Sequence, residues 1–215
     1  MASLKRISTK YLVTVVMTFG ALLGATLVHA AGNADAGKAQ AAACGACHGQ
    51  DGASPIDPSY PNLAGQNEKY LHNQLRMIQD GSRSLPLMTG QLNGKSDQDL
   101  ADLAAYYAGL PGKVSQASGD DESIAKAASI YRAGIARKGV AACSACHSPT
   151  GAGNAQAGFP RLSGLPAAYT IAQLTAYRER ARATDEAYGG MMRGVAEGLT
   201  DTEIAMVADY IQGLN

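Results

Sequence analysis

Beyond residue 30 the apolar positions of the chain recur at helical spacing, and no convincing alternation marks a strand. Leu100, Leu103 and Tyr107 follow steps of three and four, as do Ile204, Val207 and Ile211, giving one apolar stripe on each of two helices. Each stripe is preceded by a capping pattern, Ser96 with Asp99 three positions on and Thr200 with Glu203. Gly109 and Gly213 stand where such helices stop. Shorter helices are expected around residues 35–43, 67–79, 123–137 and 167–182, and the pattern as a whole predicts an all-α fold.

The two stripes belong to a tandem repeat. Cys44-Gly-Ala-Cys47-His48 returns 99 residues later as Cys143-Ser-Ala-Cys146-His147. The same offset carries Tyr60-Pro61-Asn62-Leu63-Ala64-Gly65 onto Phe159-Pro160-Arg161-Leu162-Ser163-Gly164, and Tyr70, Gln74 and Leu75 onto Tyr169, Gln173 and Leu174. Further on the offset becomes 104, so the second copy has gained five residues in a loop. The expected organisation is one domain over residues 31–114, a Ser-, Gly- and Asp-rich linker at 115–121, and a second domain over 122–215.

The first thirty residues are set apart from this plan. Lys5, Arg6 and Lys10 precede an apolar run from Tyr11 to Leu27, and Val28-His29-Ala30 resembles a cleavage site. That is the layout of a secretory signal peptide, cleaved on export to the periplasm. A retained anchor is the alternative, because about 17 residues lie at the lower edge of a spanning length. The whole chain balances 18 basic against 18 acidic residues, and removing the leader leaves 15 against 18. A mildly acidic product without a basic patch gives no reason to expect nucleic acid as a partner.

Domains of about 85 residues bury only a thin core, and these have no tryptophan and, past the leader, only Phe159 as phenylalanine. Cys-x-x-Cys-His is the attachment sequence of c-type haem, and a porphyrin would fill each centre. Cysteines three apart share one face of a helical turn, so both sulfurs reach the vinyl groups on one porphyrin edge. The adjacent histidine then lies under the ring. Around these motifs the copies resemble class I cytochromes c, and the resemblance implies that Pro61 and Pro160, each 13 residues past its histidine, offer their carbonyls to the second ring nitrogen and fix the imidazole's orientation; a proline that merely shapes the turn is the alternative. A shared zinc site, a thioredoxin-like redox pair and structural disulfides are the competing readings of the cysteines. Tandem self-sufficient copies, the missing βαβ setting and the very small disulfide loops speak against each in turn.

The sixth ligand decides between electron transfer and gas binding or catalysis. His29 lies in the leader, His48 and His147 in the motifs, and His72 corresponds to Ile171, which leaves methionine. Met77 and Met206 have no methionine counterpart and read as helix packing. Met88 and Met192 superpose across the repeat, each eight residues before its capping Ser96 or Thr200. Met191 is the runner-up. Thioether ligation raises the reduction potential and closes the iron to oxygen and peroxide, which suits an electron carrier and not an enzyme.

With CGACHG at 44–49, PNLAGQ at 61–66, MTG at 88–90, SDQDLADLAAYY at 96–107, CSACHSPTGAGN at 143–154, PRLSG at 160–164, MMRG at 191–194 and YIQGL at 210–214, the chain resembles the cytochrome c4 family over nearly all its length past the leader. The resemblance implies two tandem class I cytochrome c domains related by pseudo-twofold symmetry, with two covalently bound haem c groups. Residue by residue it points to Cys44, Cys47, His48 and Met88 for one haem and Cys143, Cys146, His147 and Met192 for the other. It also implies a periplasmic carrier, often loosely associated with the membrane. Such a carrier relays electrons from a quinol-oxidising bc complex to a terminal oxidase or reductase. The alternative is the dihaem subunit of a periplasmic dehydrogenase, such as a sulfide-oxidising flavocytochrome.

Overall fold

The computed structural model describes residues 31–215, which pack as one compact unit. The expected signal peptide lies outside the described residues. Helices dominate: α1 (Ala34–Gln40), α2 (Ala42–His48), α3 (Glu68–Gln79), α4 (Asp97–Ala108), α5 (Asp121–Ala133), α6 (Ser144–His147), α7 (Ala167–Arg178), α8 (Met191–Ala196) and α9 (Asp201–Gln212), with short 3₁₀ turns at Pro86–Met88, Ala136–Lys138 and Ala183–Tyr188. Among the described residues β pairing is limited to two isolated bridges, Ile135 with Val140 and Asn154 with Phe159. None of these helices is long and apolar enough to cross a membrane.

Both capping patterns form as complete boxes. Ser96 accepts the Asp99 N–H while Asp99 accepts the Ser96 N–H, and Thr200 and Glu203 repeat the arrangement. The other boundaries moved for local reasons. The helix expected at 35–43 is two, broken at Ala41. The one expected at 123–137 begins at Asp121, because Asp120 accepts the Ser123 N–H at 2.7 Å, and ends at Ala133. Gly134, at φ 69°, turns the chain there into the Ile135–Val140 bridge, and a Cβ at that position would overlap the Val140 carbonyl. The helix expected to reach 182 stops at Arg178, with Arg180 left-handed at φ 62°.

Two hydrophobic cores result. One gathers Ala41, Leu71, Leu103, Ala104 and Tyr107, with Cys44, Leu63 and Leu75 packed against it. The other is larger and includes Tyr131, Ile135, Leu174, Ile204, Val207 and Ile211, with Cys143, Leu162 and Met192 against it. In the first, α1 crosses α4 so closely that a Cβ on Gly37 would overlap the Asp102 carbonyl. The segment expected as a linker is pinned against α9: Asp209 accepts the N–H groups of Ser118 and Gly119, and Gln212 donates to the Gln116 carbonyl.

Both described non-glycine residues at positive φ, Ser148 and Arg180, stand where the first copy has glycine, Gly49 and Gly81. Gly49 closes α2 at φ 82°, ψ 148°, and its counterpart Ser148 closes α6 at φ 67°, ψ 160°, a region open to glycine and costly to a side chain. Ser148→Gly is expected to stabilise the protein by about 1 kcal/mol, the relieved strain outweighing the lost surface bond from the Ala152 N–H and the entropy of glycine. Equilibrium denaturation reads this directly; unchanged or lower stability contradicts it.

Candidate haem sites

Each pentapeptide ends a helix and turns its histidine inward. Cys44 is half-buried against Tyr107 and the first core, while Cys47 one turn on is exposed; Cys143 and Cys146 repeat the contrast. His48 and His147 are buried, at 9% and 5% exposure. Nδ1 of His48 lies 2.9 Å from the Pro61 carbonyl oxygen, and Nδ1 of His147 lies 2.9 Å from that of Pro160. A carbonyl can only accept, so Nδ1 carries the proton and Nε2 presents its lone pair. Burial lowers the pKa of both imidazoles, with the proline bond partly offsetting it. Both rings are therefore neutral near pH 7, the form that ligates iron. An aromatic ring flanks each at a similar tilt, Tyr60 at 6.2 Å from His48 and Phe159 at 6.4 Å from His147.

The loops that aim the prolines are also copies. The N–H groups of Leu63 and Ala64 converge on the Gly52 carbonyl, and those of Leu162 and Ser163 on the Gly151 carbonyl. The donor set fits haem better than the competing readings of the cysteines. Among the described residues no three His, Cys, Asp or Glu side chains gather as a metal site, which removes the shared zinc centre. No disulfide joins any of the four cysteines, which leaves their sulfurs available for haem attachment, and burial pushes the Cys143 thiol up to about 11, far from the activated thiolate of a redox pair.

The methionines sort by their surroundings. Met88 ends the Pro86–Met88 turn and is half-buried, with Leu87 beside it exposed. Met192 is half-buried against the second core, whereas Met191 is 47% exposed. Met77 lies in α3 with its sulfur against Gln74, and Met206 packs from α9 onto the second core. His72 is taken by Asp97, at 3.0 Å.

A polar ring joining the two copies went unnoticed in the sequence. Arg83 donates to Gln74 of its own half (2.7 Å) and to Tyr169 (3.2 Å) and Gln173 (3.1 Å) of the other. Arg182, 99 residues on, donates to Gln173 (2.7 Å), Tyr70 (3.2 Å) and Gln74 (2.9 Å). The arrangement maps onto itself when the halves are exchanged. Burial raises the Tyr70 phenol but the two guanidiniums outweigh it and hold it below the usual tyrosine range; among the described residues neither arginine pairs with a carboxylate, and the buried Nε of Arg182 has no partner. The equality of spacing, Arg83 to Arg182 as Gln74 to Gln173, was the signal available for finding this ring.

Comparison with known proteins places this geometry. The cytochrome c family model matches residues 34–110 and again 124–215. The chain is 48% identical over 206 residues to cytochrome c4 of Pseudomonas aeruginosa, covering 96% of this chain and 99% of that one. It is 36% identical to the thiosulfate dehydrogenase electron acceptor of Thiomonas intermedia, covering 89% and 87%. The crystal structure of reduced recombinant cytochrome c4 from Pseudomonas stutzeri superposes with a TM-score of 0.82 at 44% identity, over 86% of this chain and all of that one. The chain thus belongs to the cytochrome c family and, within it, to the cytochrome c4 proteins, dihaem electron carriers built from two cytochrome c domains with covalently bound haem c.

Proposed function

We propose that Cys44 and Cys47 bind one haem with His48 and Met88 as its axial ligands, and that Cys143 and Cys146 bind the other with His147 and Met192. The domains run over residues 31–114 and 122–215, joined by 115–121, and residues 1–30 direct export to the periplasm. One observation carries the ligation: both motif histidines commit Nδ1–H to a proline carbonyl, leaving Nε2 for iron. Haem, when bound, supplies an iron that takes up and returns one electron. The chain's own residues hold the imidazoles neutral and oriented; Met88 and Met192 would supply a soft thioether to each iron, and the cations Arg83 and Arg182 would screen haem carboxylates.

The electron partners we propose are a quinol-oxidising bc complex as donor and a terminal oxidase or reductase as acceptor, met at the membrane surface. A second reading has its own support. A relative over most of the chain is named for accepting electrons from thiosulfate dehydrogenase, so a periplasmic dehydrogenase, free or in complex, is the alternative donor. Mixing the oxidised protein with membranes and quinol, or with such a dehydrogenase and its substrate, separates the two; reduction by the dehydrogenase alone contradicts the first.

Met192→Ala is expected to lower one of the two reduction potentials by ~0.1 V or more, within the ~0.8 V that axial ligation spans, and to halve the iron–thioether charge-transfer band. Met191→Ala should leave both unchanged, and the reverse result moves the ligand by one residue. Arg83→Gln and Arg182→Gln should each lower both potentials by on the order of 1 kcal/mol per electron, ~40 mV, because each removes a cation shared by both halves. Redox titration that finds only one potential moved, or neither, contradicts a shared propionate clamp.

A further inference from the structure

The two loops that carry Met88 and Met192 are built differently. Arg83 and Met88 stand five residues apart, whereas Arg182 and Met192 stand ten apart, so the five extra residues of the second copy fall between these landmarks. In the first copy local turn bonds hold the methionine: the Met88 N–H donates to the Leu85 carbonyl at 2.9 Å, and the Thr89 hydroxyl donates to the same carbonyl at 3.3 Å. In the second, the extra residues form the Ala183–Tyr188 turn and place Asp185 beneath the start of α8.

Asp185 is only 5% exposed, and its carboxylate spans the ligand segment. One oxygen accepts the Met192 N–H at 3.2 Å and the other the Arg193 N–H at 2.8 Å. Its backbone carbonyl accepts the Gly190 N–H at 2.9 Å, and its own N–H donates to the Arg182 carbonyl at 3.2 Å. No cation hydrogen-bonds the carboxylate; the Arg193 guanidinium beside it pairs with Glu186. A buried carboxylate whose bonds go to backbone N–H groups holds them firmly, since releasing one strands an ion in a poorly solvated place. The backbone that carries Met192 cannot shift away without that release.

We propose that Asp185 is the positioning residue for the thioether of Met192, tethering from outside the haem a ligand loop that the first half holds by turn geometry alone. The inference rests on Met192 as a ligand of the second haem. An external ligand binds a six-coordinate iron only in the fraction of molecules whose methionine has detached, so its apparent affinity reports the tether.

The test is imidazole titration of the oxidised holoprotein. The methionine methyl NMR resonances report the two haems separately. Asp185→Ala should bind imidazole at the second haem roughly tenfold more tightly than the unaltered protein, with the first haem unchanged. Asp185→Asn, which keeps one acceptor oxygen, should fall between, and it decides the matter alone if the alanine variant does not fold. In a Met192→Ala background, Asp185→Ala should change nothing further. Unaltered affinity at the second haem, an equal gain at both haems, or an effect that persists without Met192 each overturns the positioning role. If Met192→Ala instead keeps the second haem's methionine signal, it is the ligand assignment that fails.

Discussion

The hydrogen bond from a histidine Nδ1 to a proline carbonyl, made once in each half at 2.9 Å, organises the rest of the molecule. Because the carbonyl cannot donate, the bond settles the tautomer, the ring orientation and the free nitrogen together. The pentapeptide helix brings the histidine, and the loop folded onto the Gly52 or Gly151 carbonyl brings the proline. A helix end and a loop 13 residues further on therefore meet over one nitrogen. Burial then keeps the ring neutral, so the ligand state does not depend on small changes in pH around neutrality.

Duplication explains most of the polar architecture. The ring of Arg83, Arg182, Gln74, Gln173, Tyr70 and Tyr169 is one set of contacts made twice across a pseudo-twofold axis. It ties the halves through buried and half-buried polar groups drawn from both. The copies differ in the loop that carries Met88 or Met192, where the second has five more residues, Asp185 among them, and at Ser148 and Arg180, where side chains occupy glycine conformations.

Much of this was legible in the residues. The capping boxes and the helical stripes follow from short-range spacing, which local physics reads well, whereas the pairing of His48 with Pro61 and His147 with Pro160 was implied by the resemblance to class I cytochromes c. Helix ends were less legible, because Gly134 and Arg180 end helices through backbone conformations that apolar periodicity does not register. The repeat favoured Met192 over the adjacent Met191 by superposing it on Met88, and the folded loop adds a difference in their exposure that pattern does not carry. The arginine ring needed three dimensions, although its offset of 99 matched the repeat. Asp185 had no counterpart in the first copy, so the repeat that exposed everything else was silent about it.

Iron K-edge X-ray absorption of the oxidised protein tests the central claim most directly, because it counts the atoms bound to each metal without reference to function. One sulfur and five nitrogens per iron, averaged over both sites, is the predicted shell. A sulfur count near zero, or near one half, would mean that thioether ligation is absent from both haems or from one, and would contradict the account.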